Sequence, residues 1–353
     1  MLKNIKILVV DDSAVYRKIL SNILETFSIV ENVDTASDGL EAIDKLNQKE
    51  YDLITLDVLM PKMNGIDTLR EIQKLRPETP TIMISSYTTH SAIYTIKAMK
   101  IGAVDFITKP DDNKVKSTEK FLHRELQNKI IGALYRKIDN KYLYDYEETY
   151  TVTEDHVQVE DAVNNEIISI GASTAGISAL QYIIKNINAK TTKPIVIVQH
   201  MPEYFEGPLL DELKQNSKLD IQIPENTSEL KPSTIYIAPG DAHLKVSKTG
   251  TILTCTIDPL SNMVSGFKPS IDVLFYSVAL AAGKNSTAII LSGTGTDGVK
   301  GLKAIQKAGG KTIAQSPDSS RVPGIIIESM REKAINHIVP LKDIPKIIDS
   351  NAS

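Results

Sequence analysis

Three residues with complementary chemistry each stand where an apolar strand pattern gives way to a turn. Ser173 follows an isoleucine-rich run and lies in the small-residue turn Gly-Ala-Ser-Thr-Ala-Gly. His200 follows a run of isoleucine and valine, and Asp297 lies in the turn Ser-Gly-Thr-Gly-Thr-Asp-Gly. If the three strands are neighbours in a parallel sheet, these side chains meet at the edge where open α/β sheets hold their active sites. His200 would then take the proton of a nucleophilic Ser173, and Asp297 would orient the imidazole.

Each of these residues also has a simpler interpretation that the residues alone leave open. Ser173 could be a helix N-cap or part of a phosphate-binding turn, and Asp297 could cap the helix that follows it. The turn around Thr294 could bind a nucleotide, but it lacks the Gly-Lys-Ser/Thr signature of such loops. Along the chain the three residues occur in the order serine, histidine, aspartate, which differs from the order in α/β-hydrolases. Triads that arose by convergence need not share a chain order.

The elements that would position these residues alternate between strand and helix in both halves of the chain. This alternation predicts an α/β protein, with a flavodoxin-like (βα)5 domain followed by a doubly wound, mostly parallel domain. Strands of the first half are predicted at 5–10, 33–36, 53–56, 81–85 and 104–107, with later helices near 38–48, 64–75 and 89–100. Strands of the second half are predicted at 167–170, 194–198, 219–223, 234–237, 244–246, 251–256 and 287–291, with helices at 177–187 and from 298 to about 308.

Polar residues also stand at strand ends in the first half. Asp11 and Asp12 end the first predicted strand, Asp57 ends the third, Ser85 ends the fourth, and Lys109 follows the fifth. Three converging carboxylates repel one another unless a hard cation neutralises them, and Mg²⁺ suits an all-oxygen site. With an ammonium and a hydroxyl beside them, the set is typical of a site that holds a phosphoryl group on one carboxylate.

Residues 3–110 resemble the receiver domain of two-component response regulators. The resemblance rests on the acidic pair, on Asp57 with the following Met-Pro-x-Met-Asn-Gly run, and on Ser85 and Lys109-Pro110. It implies that Asp57 accepts phosphate from a chemotaxis histidine kinase. The implied magnesium ligands are Asp11, Asp12, Asp57 and the carbonyl of Leu59, and the implied switch residues are Ser85, Phe106 and Lys109.

Residues 166–348 resemble the catalytic domain of the chemotaxis receptor methylesterase, the CheB family. The residues that carry the resemblance are 171–174, 199–202, 236–243, 269–272 and 292–298. It implies a phosphorylation-activated serine esterase, without a cofactor of its own, that hydrolyses glutamate methyl esters on methyl-accepting chemotaxis receptors. Deamidation of receptor glutamines by the same acyl chemistry is also implied.

The implied catalytic residues are Ser173, His200 and Asp297, with backbone amides near Thr174 and Thr294 as the oxyanion hole. Two positions depart from the usual family pattern. Ala175 stands where a glycine is usual, so its methyl group is expected to narrow the entrance to the turn. Thr294 stands where a methionine is usual, and its β-branched side chain is expected to shift the amide. A degenerate domain that binds without catalysing is the competing interpretation.

The charge pattern divides the chain into a receiver domain at 1–113, a linker at 114–165 and a catalytic domain at 166–353. Residues 114–141 hold eight Lys or Arg against three Asp or Glu, and they continue a helical pattern. Residues 145–166 hold eight Asp or Glu and no Lys or Arg, which predicts a flexible acidic segment.

The amino-acid composition excludes several other classes of protein. A hydrophobic fraction of 42% and a charged fraction of 24% are those of a globular protein, and a net charge of −4 gives no reason to expect nucleic-acid binding. The one cysteine, Cys255, excludes a disulfide scaffold and a CxxC metal site, and its strand-like surroundings predict a buried thiol. With no long apolar run and no signal-peptide pattern, we expect no membrane insertion and a cytoplasmic location.

Overall fold

The computed structural model describes residues 4–110, 115–135, 167–189 and 191–349. The chain forms two compact units, residues 1–146 and 147–353. Neither unit has, within those residues, a helix that is long and apolar enough to cross a membrane.

The first unit is a five-stranded parallel sheet with helices between its strands, as the alternating pattern predicts. Its strand order is β2-β1-β3-β4-β5, so the ends of β1, β3, β4 and β5 lie along one edge. The strands are β1 (Ile5–Val10), β2 (Val30–Ala36), β3 (Leu53–Asp57), β4 (Thr81–Ser85) and β5 (Asp105–Thr108). The helices are α1 (Ala14–Glu25), α2 (Gly39–Gln48), α3 (Gly65–Leu75), α4 (Thr89–Ile101) and α5 (Val115–Ala133).

Helix α5 belongs to the core of the first unit and not to a linker. Leu122, Leu126 and Ile130 of α5, with Leu134 directly after it, are buried in the same apolar cluster as residues of β1 and α1. These side chains recur every three to four residues, so one face of the helix is apolar. The boundary predicted at residue 113 stays a prediction, and the packing of this helix favours a later one. The predicted acidic segment, residues 145–166, lies outside the described residues.

The second unit contains a seven-stranded parallel sheet of order β15-β14-β13-β6-β7-β10-β8. Its strands are β6 (Ile167–Ala172), β7 (Ile195–Gln199), β8 (Asp220–Gln222), β10 (Thr234–Ile237), β13 (Ser286–Ile290), β14 (Lys311–Gln315) and β15 (His337–Val339). A three-stranded antiparallel sheet joins β11 (His243–Thr249), β12 (Ile252–Asp258) and β9 (Thr227–Glu229). The helices are α6 (Ile177–Asn186), α7 (Glu206–Asn216), α8 (Ile271–Ala282), α9 (Val299–Lys307), α10 (Gly324–Arg331) and α11 (Ile344–Asp349).

The strand order places the predicted chemistry at one point of this sheet. β6 lies between β13 and β7, and all six of its residues are buried. Ala172 pairs with Gln199 of β7, and Gly171 pairs with Ile290 of β13. The fold class and the adjacency of the three strands are therefore confirmed.

Candidate functional site

Ser173 lies directly after β6, at the start of a 3-10 turn over Thr174–Gly176. Its side chain makes no capping hydrogen bond to that turn, although N-capping is the common role of a serine in this place. It is only 4% exposed. A Cβ built on Gly293 would lie 2.3 Å from the Cβ of Ser173, so the turn after β13 approaches the serine as closely as only a glycine permits.

His200 lies directly after β7 and is held against the serine turn by backbone and side-chain bonds. Its amide donates to the carbonyl of Ala172 at 2.9 Å. The side-chain amide of Gln199 donates to the carbonyls of both Ser173 and His200, at 2.8 and 3.0 Å. The ends of β6 and β7 are therefore tied together at the two residues with the predicted chemistry.

The imidazole of His200 is oriented from two sides. Its Nε2 lies 2.8 Å from Oδ2 of Asp297, and both side chains are buried. The ring stacks on Phe267, with ring centroids 3.9 Å apart and an angle of 4° between the planes. The other nitrogen, Nδ1, is buried and has no hydrogen-bond partner in the described part of the chain. Because Asp297 accepts the Nε2 proton, Nδ1 carries the lone pair that a general base needs.

Asp297 is fixed by the first residues of α8. Ser270 Oγ donates to it at 2.7 Å, and the amides of Ile271 and Asp272 donate at 2.7 and 3.1 Å. Burial alone would raise the pKa of Asp297, but the hydrogen bond and charge of His200, with these donors, lower the pKa below its ordinary value. Asp297 does not cap the helix that follows it, since that N-terminus begins at Gly298.

A second aspartate completes a reciprocal arrangement between α8 and α9. The carboxylate of Asp272, in α8, accepts hydrogen bonds from the amides of Gly298 and Gly301, at 2.9 and 2.8 Å. In return, the carboxylate of Asp297 accepts hydrogen bonds from amides at the start of α8. Burial raises the pKa of Asp272, with a further contribution from the charge of Asp297. Gly298 has a φ of +108°, a conformation that favours glycine, and a Cβ there would lie 2.8 Å from Ile271.

The two predicted oxyanion donors flank the serine. Thr174 is the residue after Ser173, and Thr294 follows the glycine that contacts the serine. The turn that carries Thr294 is held rigidly, because Gly293 donates to Val322 O at 2.7 Å and accepts from Ile325 N at 2.9 Å. The amide of Thr294 makes no hydrogen bond to the described residues, so it remains able to donate to a substrate oxygen.

The expected narrowing by Ala175 has no support in the structure. Ala175 is fully buried, so its methyl group cannot line an entrance that is open to solvent. The neighbouring Gly176 is the position that has no space for a side chain, since a Cβ there would lie 2.8 Å from Ser292 O.

The predicted acidic cluster is present at the edge of the first sheet. Carboxylate oxygens of Asp11, Asp12 and Asp57 lie within 4.8 Å of one another. Lys109 Nζ lies 2.8 Å from both Asp11 and Asp57. Burial, with the charges of Asp11 and Asp12, raises the pKa of Asp57 to about 6, although Lys109 opposes the change. Leu59, whose carbonyl is the remaining implied magnesium ligand, follows Asp57 by two residues, and the residue is 40% exposed.

The predicted switch residues occupy inward positions. Ser85 is buried, and its hydroxyl accepts a hydrogen bond from Thr95 Oγ1 at 2.9 Å. Phe106 is only 2% exposed, and Lys129 of α5 forms a buried ion pair of 3.0 Å with the adjacent Asp105. The aromatic ring therefore lies inside the first unit, beside α5.

Comparison with known proteins agrees with both halves of this description. Residues 168–348 match the family described as CheB methylesterase, and residues 7–118 match the response regulator receiver domain. The chain belongs to the CheB methylesterase family. Its membership rests on more than half of the sequence and on relatives that it matches over nearly their full length.

Relatives from bacteria and archaea align along the whole chain. A Shewanella oneidensis protein named protein-glutamate methylesterase/protein-glutamine glutaminase 2 is 38% identical over 343 residues, which cover 96% of this chain and 95% of that protein. A Methanococcus maripaludis protein with the same name, without the number, is 35% identical over 356 residues, covering 98% and 97%. The crystal structure of the Thermotoga maritima CheB methylesterase catalytic domain aligns with a TM-score of 0.51 and 33% identity, covering 53% of this chain and 99% of that one.

Three contacts of this CheB-family site were not predicted as functional. Phe267 stacks on His200, Ser270 bonds to Asp297, and His243 is buried beside them. Nδ1 of His243 accepts a hydrogen bond from the amide of Ser270 at 3.2 Å. Its Nε2 forms a hydrogen bond of 2.9 Å with the carbonyl oxygen of Asn262. The motif Pro-Ser-Ile-Asp before α8 was a usable signal for Ser270, whereas nothing in the local sequence marks Phe267.

Proposed function

We propose that the chain is a serine esterase in which Ser173, His200 and Asp297 act together. Ser173 Oγ attacks the ester carbonyl carbon while His200 Nδ1 takes its proton, and the amides near Thr174 and Thr294 stabilise the oxyanion. The tetrahedral intermediate collapses to an acyl-enzyme as the alcohol leaves with the proton from His200. Water then hydrolyses the acyl-enzyme by the same route. The bond from Nε2 to Asp297 carries this proposal, because it leaves Nδ1 as the basic nitrogen.

The proposed substrate is the γ-methyl ester of a glutamate on a methyl-accepting chemotaxis receptor, and the products are glutamate and methanol. The names of the full-length relatives support this assignment. The same names include protein-glutamine glutaminase, so we also propose deamidation of receptor glutamines. In that reaction the acyl-enzyme is the same and ammonia leaves in place of methanol.

The first unit is proposed to control this activity as a phosphoryl acceptor. Asp57 would take the phosphoryl group from a chemotaxis histidine kinase, and the cytoplasm would be the place of action. Asp11, Asp12, Asp57 and the carbonyl of Leu59 would hold Mg²⁺. The fit is good, since the cluster is all-oxygen and Asp57 Oδ1 is buried without a hydrogen-bond partner among the described residues. When bound, Mg²⁺ would offset the negative charge of the acyl phosphate, while Lys109 is already 2.8 Å from Asp57.

We also propose a revised domain division, with the receiver extending through α5 and the catalytic domain beginning near residue 167. Packing of α5 in the first core supports the later boundary. The acidic run between them is proposed as the linker.

Methanol release from methylated receptor tests the proposed chemistry. Ser173→Ala should lower the rate by at least about a thousandfold, because no other nucleophile replaces the hydroxyl. Ser169→Ala is the matched control, since Ser169 is a buried serine on β6, the strand that precedes Ser173, and among the described residues its hydroxyl bonds only to Thr287 O. If Ser173→Ala retained wild-type methanol release, the assignment would be wrong.

A covalent probe separates an esterase from a domain that only binds receptors. A serine-directed phosphonate should label the wild-type chain at Ser173, and His200→Gln should abolish labelling because the general base is gone. A chain that binds receptor but never reacts with the probe would be a degenerate, non-catalytic relative.

A further inference from the structure

The loop between β12 and α8 exposes apolar side chains beside the catalytic histidine. In this loop, residues 259–267, Leu260 is 93% exposed, Met263 is 68% exposed and Val264 is 38% exposed. Single exposed apolar residues are ordinary, but three within five positions form a patch. The loop contains no charged residue. Its exposed surface is therefore uncharged, and three of its exposed side chains are apolar.

The loop is held in shape at each of its turns. The carboxylate of Asp258 accepts the amides of Leu260 and Ser261, at 3.1 and 3.0 Å. Asn262 O bonds to the buried His243 at 2.9 Å, and Lys268 Nζ donates to Pro259 O at 2.8 Å. The exposure of the apolar side chains is therefore imposed by the fold, because the loop cannot collapse to cover them.

The loop is continuous with the proposed active site. Val264 and Phe267 pair through two backbone bonds of 2.9 and 3.0 Å, and the ring of Phe267 stacks on His200. Paired residues of this kind have Cα atoms about 5 Å apart, and the next residue adds about 4 Å. The Cα atom of Met263 thus lies within about 9 Å of that of Phe267, which is less than the diameter of one helix.

We propose that this loop is the docking surface for the receptor segment that carries the ester, and this rests on the proposed function. A helical segment that delivers a side chain to Ser173 must pass beside His200, and its width brings its flank onto the loop. Leu260 and Met263 then pack against apolar side chains about one helical turn from the ester.

The test compares two substrates of the full-length chain under a phosphodonor. One is a membrane preparation of chemoreceptor labelled as its glutamate methyl ester. The other is N-acetyl-glutamate γ-methyl ester N-methylamide, which carries the same scissile group without a polypeptide. The variant Leu260→Ser with Met263→Ser should raise KM for the receptor about tenfold or more with kcat retained, so that kcat/KM for the receptor falls relative to the small ester.

Leu280→Ser is the matched control, because Leu280 is 75% exposed on α8 but is not part of the loop. It should leave the ratio of the two kcat/KM values unchanged. Cosedimentation of Ser173→Ala with receptor membranes measures docking without turnover, and the two loop substitutions should weaken it by a similar factor. Added salt should change this cosedimentation little, since the contact is apolar.

The outcomes are distinguishable. An unchanged substrate ratio, or unchanged cosedimentation, overturns the docking proposal while hydrolysis of the small ester still supports the esterase. A loop variant that hydrolyses the small ester faster without phosphorylation would show that the receiver covers the loop, which also overturns it. Receptor and small-ester hydrolysis that both survive Ser173→Ala would overturn the proposed function itself.

Discussion

The two nitrogens of His200 have different surroundings, and this difference decides which of them can act as a base. Nε2 is bonded to Asp297, whose own position is set by Ser270 and two amides of α8. Nδ1 is buried and has no partner in the described residues. A buried unpartnered nitrogen is costly unless a substrate or nucleophile uses it, so the arrangement favours a catalytic role over a structural one.

Phe267 is predicted to position the imidazole through ring stacking. Phe267→Leu removes the flat surface at 3.9 Å and leaves the ring free to tilt, so kcat should fall about tenfold with KM nearly unchanged. Phe267→Tyr keeps a ring of the same shape and should retain most of the rate. Steady-state methanol release measures both. Equal losses in the two variants would mean that stacking is not the cause.

Cys255 is predicted to stay unreactive in the native chain. It is fully buried, and burial raises the pKa of its thiol to about 11. At pH 8 only about one thiol in a thousand is then the reactive thiolate. Ellman's reagent should therefore react slowly with native protein and rapidly after unfolding in urea. Rapid labelling of the native chain would contradict this description.

The sign of the associated pH effect follows from the raised pKa of Cys255. Below about pH 9 the thiol is protonated in both the folded and unfolded chain, and its contribution to stability is fully present. As pH rises from 9 towards 11 the unfolded chain loses the proton first, so the free energy of unfolding should fall. Urea titrations at pH 8 and pH 10, with Cys255→Ala as the reference, measure this difference.

Helices α8 and α9 stabilise one another's N-termini, which is how the fold holds Asp297. Asp297 precedes α9 and accepts amides of α8, while Asp272 lies in α8 and accepts amides of Gly298 and Gly301. Unsatisfied amides at a helix start attract carboxylates, so each aspartate satisfies donors that its own helix leaves open. The carboxylate proposed to orient His200 is thereby fixed by helix packing and not by a flexible loop.

Asp272→Ala is predicted to destabilise the second unit. Two buried amides lose their acceptor, which should lower the free energy of unfolding by about 1–3 kcal/mol. Asp272→Asn keeps an acceptor oxygen in the same place and should lose less than half as much. Urea unfolding followed by circular dichroism measures the difference. If the Asn and Ala variants were equally destabilised, the hydrogen bonds to Gly298 and Gly301 would not be the cause.

Most strands with continuous buried apolar residues could be predicted closely from sequence, whereas β9, β14 and β15 were not predicted. The predicted 81–85 and 234–237 match β4 and β10, because each is a run of β-branched and apolar residues between turns. β9 and β15 have three residues each and were not predicted, since their pairing depends on the surrounding sheet. Ser173, His200 and Asp297 were found because each follows an apolar run, whereas the contact of Phe267 depends on the shape of a distant loop.

At the scale of the whole molecule, the chain joins two parallel sheets, each with functional groups at the ends of its strands. In the first unit these groups are the three carboxylates with Lys109, and in the second they are Ser173, His200 and Asp297. Family membership spans both units. The expected behaviour of the full chain is therefore coupling, in which charge added at Asp57 changes the rate at Ser173.

Asp57→Asn is predicted to abolish activation by a phosphodonor. Asp57 is buried beside Lys109, and its carboxylate can attack phosphorus, which a neutral amide cannot do. With acetyl phosphate and Mg²⁺, methanol release by the wild-type chain should rise about tenfold, a usual size for coupling between sites. Asp57→Asn should remain at its basal rate, and EDTA should remove the wild-type response. Asp67→Asn, an exposed aspartate on α3, should respond like wild type. Equal activation of wild type and Asp57→Asn would place control somewhere other than this carboxylate.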